Sequence, residues 1–202
     1  VFGNFSRAIT PNGTPSPHLP WSPTEQEIFD AITDKRLDED SMAHVPEGIT
    51  ARAFAAKVAR DRLRPAVPDV DEYCDAEVND SMYFTLFPNF HPWGAFNRIN
   101  YRFRPVGTKV DECLMECIYT EDFEGDDRPP PAEYIELGID QEWTELIPVI
   151  GNLARVFQQD SFNLPKVQKG LETFKADGLT LTKYQEVKIR HWHAMAERFI
   201  AN

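Results

Sequence analysis

The sequence predicts an α+β domain on two observations. Strand-type patterning is concentrated in the middle of the chain, and a long amphipathic helical pattern closes it. In the middle, Arg98, Asn100, Arg102 and Arg104 alternate with Ile99, Tyr101 and Phe103, the period-two pattern of a half-buried strand. At the end, Leu181 to Ile200 reads as one helix with Tyr184, Val187, Trp192, Met195 and Phe199 turned inward. With 202 residues, 42% of them hydrophobic and 12% aromatic, the chain has the size and apolar content for one globular core.

The elements follow in order. Val1 to Thr10 reads as a strand already under way, with no initiator Met, so the protein is expected to extend upstream. Thr10 to Pro17 is a turn-rich loop. Ser22 is the expected N-cap of the next helix, with Pro23 at its first position and Glu25 reaching back; the helix ends near Thr33. An exposed acidic loop spans Asp34 to Asp40. Thr50 then caps a helix to about Leu63 that turns Phe54, Val58 and Leu63 inward, and Pro65 and Pro68 stop it. A short acidic helix covers Asp69 to Val78.

Three strands are predicted next, over Met82 to Phe90, Phe96 to Pro105 and Glu112 to Tyr119, joined as an antiparallel meander. Glu121 to Pro131 is a charged, proline-rich loop. Trp143 to Gln159 is helical, with Pro148 in its first regular turn. Pro165 implies a kink or restart, with Asn163 as the new N-cap.

The charge excludes one class of partner. A net charge of −12, from 33 acidic and 21 basic residues, does not suit phosphate contacts, so nucleic acid is not expected. No apolar run reaches the ~20 residues of a spanning helix, so no membrane partner is expected either. Cys74, Cys113 and Cys117 form no CxxC pair, which points to a reducing cytoplasm. Cys113 and Cys117 share a strand face about 13 Å apart, too far for a bridge, and read as core.

The most informative segment runs from Phe157 to Leu171. Asp160 sits among Val156, Phe157 and Phe162, and an ionised carboxylate in that setting needs a cation or a full set of donors. It either caps the helix that follows or binds a cation. The aromatic cluster Phe84, Phe87, Phe90, Trp93 and Phe96 is either core or the wall of a pocket, since Pro88 and Pro92 interrupt the ladder beside Gly94. His191 and His193 point about 200° apart on a helix and cannot grip one metal together, and His91 has no partner at ligand spacing.

Gln159-Asp160, Asn163 and Val167-Gln168-Lys169-Gly170-Leu171 resemble the closing motif of the catalytic domain in α subunits of Rieske non-haem iron ring-hydroxylating oxygenases. The resemblance extends in matching order through Phe84 to Phe90, Tyr101 to Pro105, and Tyr184 to Val187 with Arg190 to His193. The opening Phe5-Ser6-Arg7 fits it as well.

The resemblance implies that residues 1–202 are part of a single catalytic domain of helix-grip type, a curved antiparallel sheet with the last helix packed across it. It implies Asp160 as the carboxylate of a 2-His-1-carboxylate Fe(II) site, with a pocket walled by Phe87, Asn89, Phe90, Val156 and Phe157. A Rieske [2Fe–2S] centre upstream or in a neighbouring subunit, O₂, an aromatic substrate and a ferredoxin or reductase complete the expected chemistry. A homotrimer is implied too, with or without a β subunit. The HxxxxH stretch and the cluster motif of that family are absent from these 202 residues, which therefore read as a fragment that is inactive alone. The alternative is a helix-grip module that binds an apolar ligand without metal.

Overall fold

The computed structural model describes residues 1–94, 96–120 and 128–201. The fold is α+β, with a five-stranded antiparallel sheet and a C-terminal helix. The strands are β1 (Phe5–Thr10), β2 (Ser81–Leu86), β3 (Phe90–Pro92), β4 (Ile99–Pro105) and β5 (Cys113–Tyr119), in spatial order β1-β2-β3-β4-β5. The helices are α1 (Glu25–Ile32), α2 (Ala51–Leu63), α3 (Asp75–Asn79), α4 (Trp143–Leu146), α5 (Leu153–Glu172) and α6 (Val187–Ile200).

The excursion between β1 and β2 holds α1, α2 and α3, and local chemistry sets each boundary. Thr24, not Ser22, caps α1, in a reciprocal box with Glu27. Ser22 loses the box because the carboxylate of Glu25 is committed elsewhere: it accepts from the Ala51 amide at 2.6 Å and ties α1 to the first turn of α2. Thr50 caps α2 as expected. The inward face of α2 is built on Ala51, Ala55, Ala56 and Leu63, while Phe54 and Val58 are only partly buried. Two small cores result. Ile28 and Phe29 pack with Ala51 and Ala55, and Ala56 and Leu63 pack with Val70 and Val78.

The expected strand over Met82 to Phe90 is two strands. β2 ends at Leu86, and the Phe87-Pro88-Asn89 turn leads into β3. Pro88 has no amide to continue a ladder. The turn is held from both sides, by the Phe87 amide on the Asn4 carbonyl (3.1 Å) and the Phe103 amide on the Asn89 carbonyl (3.0 Å). The β4–β5 pairing is in full register from Ile99↔Tyr119 to Pro105↔Cys113.

Register assigns the faces. Ser6 lies opposite Thr85, Leu86 opposite Phe90, His91 opposite Tyr101 and Phe103 opposite Met115. Ser6, Tyr83, Thr85, His91, Ile99, Tyr101, Phe103, Met115 and Cys117 therefore share one face, because side chains alternate along a strand. That face carries the third core, where Ile99 packs with Ile150, Ala154 and Phe157, and with Tyr101, Met115 and Cys117 at its border. Phe90, Arg102, Arg104 and Glu116 lie on the other face, and Glu116 receives both Arg102 (2.5 Å) and Arg104 (2.6 Å).

Three helical expectations near the C-terminus change. Trp143 to Gln159 is not one pattern: α4 is followed by a 3₁₀ turn at Pro148–Ile150 and by Gly151 at φ 56°, before α5 begins. α5 runs unbroken through Pro165, so Asn163 is not a cap. The helix forgoes the one bond that Pro165 cannot donate to the Ser161 carbonyl and continues for two turns. α6 starts at Val187 rather than Leu181. Ahead of it, the Arg190 guanidinium donates to the carbonyls of Leu181, Thr182 and Lys183, which satisfies them without helical bonds. Tyr184 and Phe199 are exposed, and Met195 is the buried residue of α6. Cys113, expected in the core, is exposed, because β5 ends at the sheet's open corner. Of the expected loop at Glu121–Pro131, residues 121–127 lie outside the described residues, and 128–131 are exposed and irregular. No helix among the described residues is long and apolar enough to cross a membrane.

Candidate functional site

Asp160 is in the second turn of α5, three residues after Phe157. Phe157 is fully buried, with its ring edge-on to Tyr101 (5.4 Å between centroids) and tilted against Trp143 (5.1 Å). Trp143 is locked to α5 in turn: its amide donates to the Gln158 side chain (2.7 Å) and its indole N–H to Ser161 Oγ (2.9 Å). Residues three apart on a helix share a side, so this packing directs Asp160 toward the same sheet face as Phe157. Its charge reaches Tyr101, whose phenol is pushed up by burial first, then by Cys117 and Asp160.

The Asp160 carboxylate has no hydrogen bond and no ion pair among the described residues. It stays accessible at the surface, but the surrounding protein removes part of its hydration, and that burial pushes its pKa up. It is not an N-cap, since α5 has no break there. What remains is a carboxylate within electrostatic reach of Tyr101 that no described residue neutralises. Among the described residues no group of three His, Cys, Asp or Glu side chains could hold a metal ion.

A cavity of about 940 Å³ lies between α6 and the same sheet face. Thr85, His91 and Phe103 form its floor, Lys188, Ile189 and Trp192 its helical wall, and Pro88 and Asn89 one rim. The indole of Trp192 donates to the Pro88 carbonyl at 2.6 Å, which pins α6 to the β2–β3 turn. His91 sits edge-on to Phe103 at 5.4 Å, with Nδ1 3.3 Å from the Thr85 hydroxyl. Burial first, then the charge of Lys188, push its pKa down, so the imidazole is neutral near pH 7.

Of the five residues selected from sequence as pocket wall, Asn89 borders this cavity. Its amide is spent on the Phe103 carbonyl at 2.8 Å. Phe87 packs on α6, against Phe199 at 4.9 Å and Trp192 at 5.9 Å. Phe157 is in the α5 core, Val156 is exposed on α5, and register puts Phe90 on the opposite sheet face. The opening expected beside Gly94 is closed: its amide donates to the Met82 carbonyl at 2.7 Å, and a Cβ there would come within 2.9 Å of the Phe84 ring.

His191 bonds the Gly3 carbonyl at 3.2 Å and His193 is exposed beside Trp192, so they do not converge. Lys188 and Thr85 were not singled out from sequence. The signal available was Lys188 standing alone on the inward side of an amphipathic helix. Comparison of the chain with protein-family models, with curated proteins and with solved structures gives no match in any of the three.

Proposed function

We propose that this chain is part of the catalytic domain of a Rieske-type ring-hydroxylating oxygenase α subunit, and that Asp160 is the carboxylate ligand of its mononuclear Fe(II). The observation that carries the reading is the Asp160 carboxylate on α5, which has no hydrogen bond or ion pair among the described residues and lies within electrostatic reach of Tyr101. A partly dehydrated carboxylate with no counter-charge gains most from a cation, and an anionic oxygen donor suits Fe(II). The α5 and α6 helices on one face of the antiparallel sheet agree with a helix-grip arrangement.

In this reading Asp160 holds one coordination position and two imidazoles come from outside these 202 residues. The iron supplies dioxygen activation when bound. The chain's residues do the rest: the Trp143–Ser161 and Trp143–Gln158 bonds fix the rotation of α5, and Phe157 keeps water from the sheet side of the carboxylate. The aromatic substrate, O₂, a ferredoxin or reductase donor, a Rieske [2Fe–2S] centre, a trimeric assembly with or without a β subunit, and a cytoplasmic setting belong to the same proposal.

A second reading, an apolar-ligand module without metal, draws on the cavity under α6, whose wall does not include Asp160. Turnover by the whole protein separates the two. Asp160→Ala should abolish product formation while the cluster is still reduced by its donor, and Asp160→Glu should restore little, since one added methylene displaces the oxygens. Product formed by the alanine variant near the wild-type rate would favour the metal-free module.

A further inference from the structure

One charge on the wall of the cavity under α6 has no ion partner among the described residues. Arg104, Lys109 and Glu112 also border it, but Arg104 is paired with Glu116 (2.6 Å) and Lys109 with Glu112 (2.7 Å). The Asn89 amide and the Trp192 indole are spent on backbone carbonyls. Lys188 is different. Its ammonium lies 4.6 Å from the centre of the Tyr83 ring and 3.5 Å from the Tyr83 carbonyl, and no carboxylate reaches it among the described residues.

Burial pushes the Lys188 pKa down, as expected for an ammonium that has lost water and gained no anion. Next to it, His91 bonds the Thr85 hydroxyl through Nδ1, which leaves its other ring nitrogen available. Ser6, opposite Thr85 in the register, is buried with a hydroxyl that has no partner among the described residues. Apart from Gln185, most of the remaining wall is flat or apolar, including Phe103, Pro105, Pro88, Ile189 and the Trp192 ring.

We propose that this cavity binds an aromatic carboxylate, with its rings between Phe103 and Ile189 and its carboxylate on the Lys188 ammonium beside His91. The class follows from complementarity. At about 940 Å³ the space admits fused rings, its walls suit apolar faces, and a single unpaired cation selects a monoanion over a neutral ring of equal size. The occupant's standing as substrate rests on the oxygenase reading; its binding does not.

The test is equilibrium dialysis of the whole protein that contains this chain, without an electron donor, against 2-naphthoate and its neutral isostere 2-naphthalenemethanol. Naphthoate should bind at least about tenfold more tightly, the worth of one charge-assisted hydrogen bond. Lys188→Met should remove that preference while naphthalenemethanol binding stays within about twofold, and Lys188→Arg should keep most of it. Ile189→Trp, which fills the cavity without touching a charge, should weaken both ligands. Equal binding of the two ligands, or a preference that survives Lys188→Met, would overturn the proposal. Failure here would leave this cavity without an anion site and would not touch the reading of Asp160, which lies outside its wall. Naphthoate binding that behaves as stated, with turnover unaffected by Asp160→Ala, would leave an anion site in a chain that is no oxygenase.

Discussion

The junction where α2 meets β1 and β2 and the sheet face under α5 and α6 treat charge in opposite ways. At the junction every charge is answered. Arg52 donates to both oxygens of Asp80 (2.6 and 3.1 Å) and to the Asn12 carbonyl (2.8 Å), and Asp80 also accepts from the Asn12 amide (3.0 Å). Asn12 and Asn79 exchange two further bonds of 2.7 and 3.1 Å. Gly13, at φ 76°, lets this loop lie against α2, where a Cβ would come within 2.5 Å of the Arg52 backbone. Under α5 and α6, Asp160 and Lys188 each lose water and gain no ion partner among the described residues. Closed networks of this kind hold a fold in one arrangement, whereas an unpaired, partly buried charge lowers stability unless a ligand completes it. The contrast separates charges that hold the molecule together from charges that no described residue pairs.

The largest expected effect is at the junction. Asp80→Ala strands the Arg52 guanidinium and the Asn12 amide, and should cost about 3 kcal/mol or more in urea denaturation. A loss under about 1 kcal/mol would break the comparison, by making the network as dispensable as a surface pair. Next come the aromatics. Phe157→Ala should cost about 3–5 kcal/mol, since it empties a packed site between Tyr101 and Trp143. Phe87→Ala, at a half-exposed contact with α6, should cost about half as much. Equal losses would mean that α6 is as tightly built in as α5.

Asp160→Asn, by contrast, should cost no more than about 0.5 kcal/mol at pH 7 and should tend to stabilise, because it removes an unpaired charge. The smallest effect is its pH dependence. With its folded pKa above the ordinary 3.8, Asp160 binds its proton more tightly folded than unfolded. The stability it adds is fully present below the unfolded value and is lost as pH rises through the folded one. Glu39, held down to about 2 first by its hydrogen bond from Arg155, runs the other way: its contribution is present above 4.5 and fades as pH falls toward 2. Urea midpoints of the wild type and Asp160→Asn, compared from about pH 3 to 7, should therefore diverge in favour of the asparagine variant as pH rises. Parallel curves would mean that Asp160 is fully solvated.

Much of this was legible in the sequence where the signal was local. The alternation of Arg98 to Arg104 around Ile99 and Tyr101 gave β4, and Thr50 marked the start of α2. Of the apolar flanks that singled out Asp160, Phe157 is buried, whereas Val156 and Phe162 are exposed. Local rules failed where a distant group settled the matter. Ser22 and Thr24 both stand three residues before a Glu, and only the reach of Glu25 to Ala51 decides between them. Arg190 fixes where α6 begins by capturing carbonyls seven to nine residues back. Phe90 was counted as pocket wall although the break at Pro88 resets which face it occupies. Lys188 gave only the faint signal of a cation on the inward side of a helix, because its meaning depends on which described groups lie across the cavity, a property of tertiary structure.

The central claim is that Asp160 is unpaired because iron completes it. The most direct measurement is the mononuclear iron content of the whole protein bearing Asp160→Asn, with the absorption of its Rieske cluster as the internal standard. The account predicts an intact cluster spectrum and mononuclear iron at least about tenfold below the wild type, as expected when one of three protein ligands is lost. Wild-type iron content in that variant would contradict it.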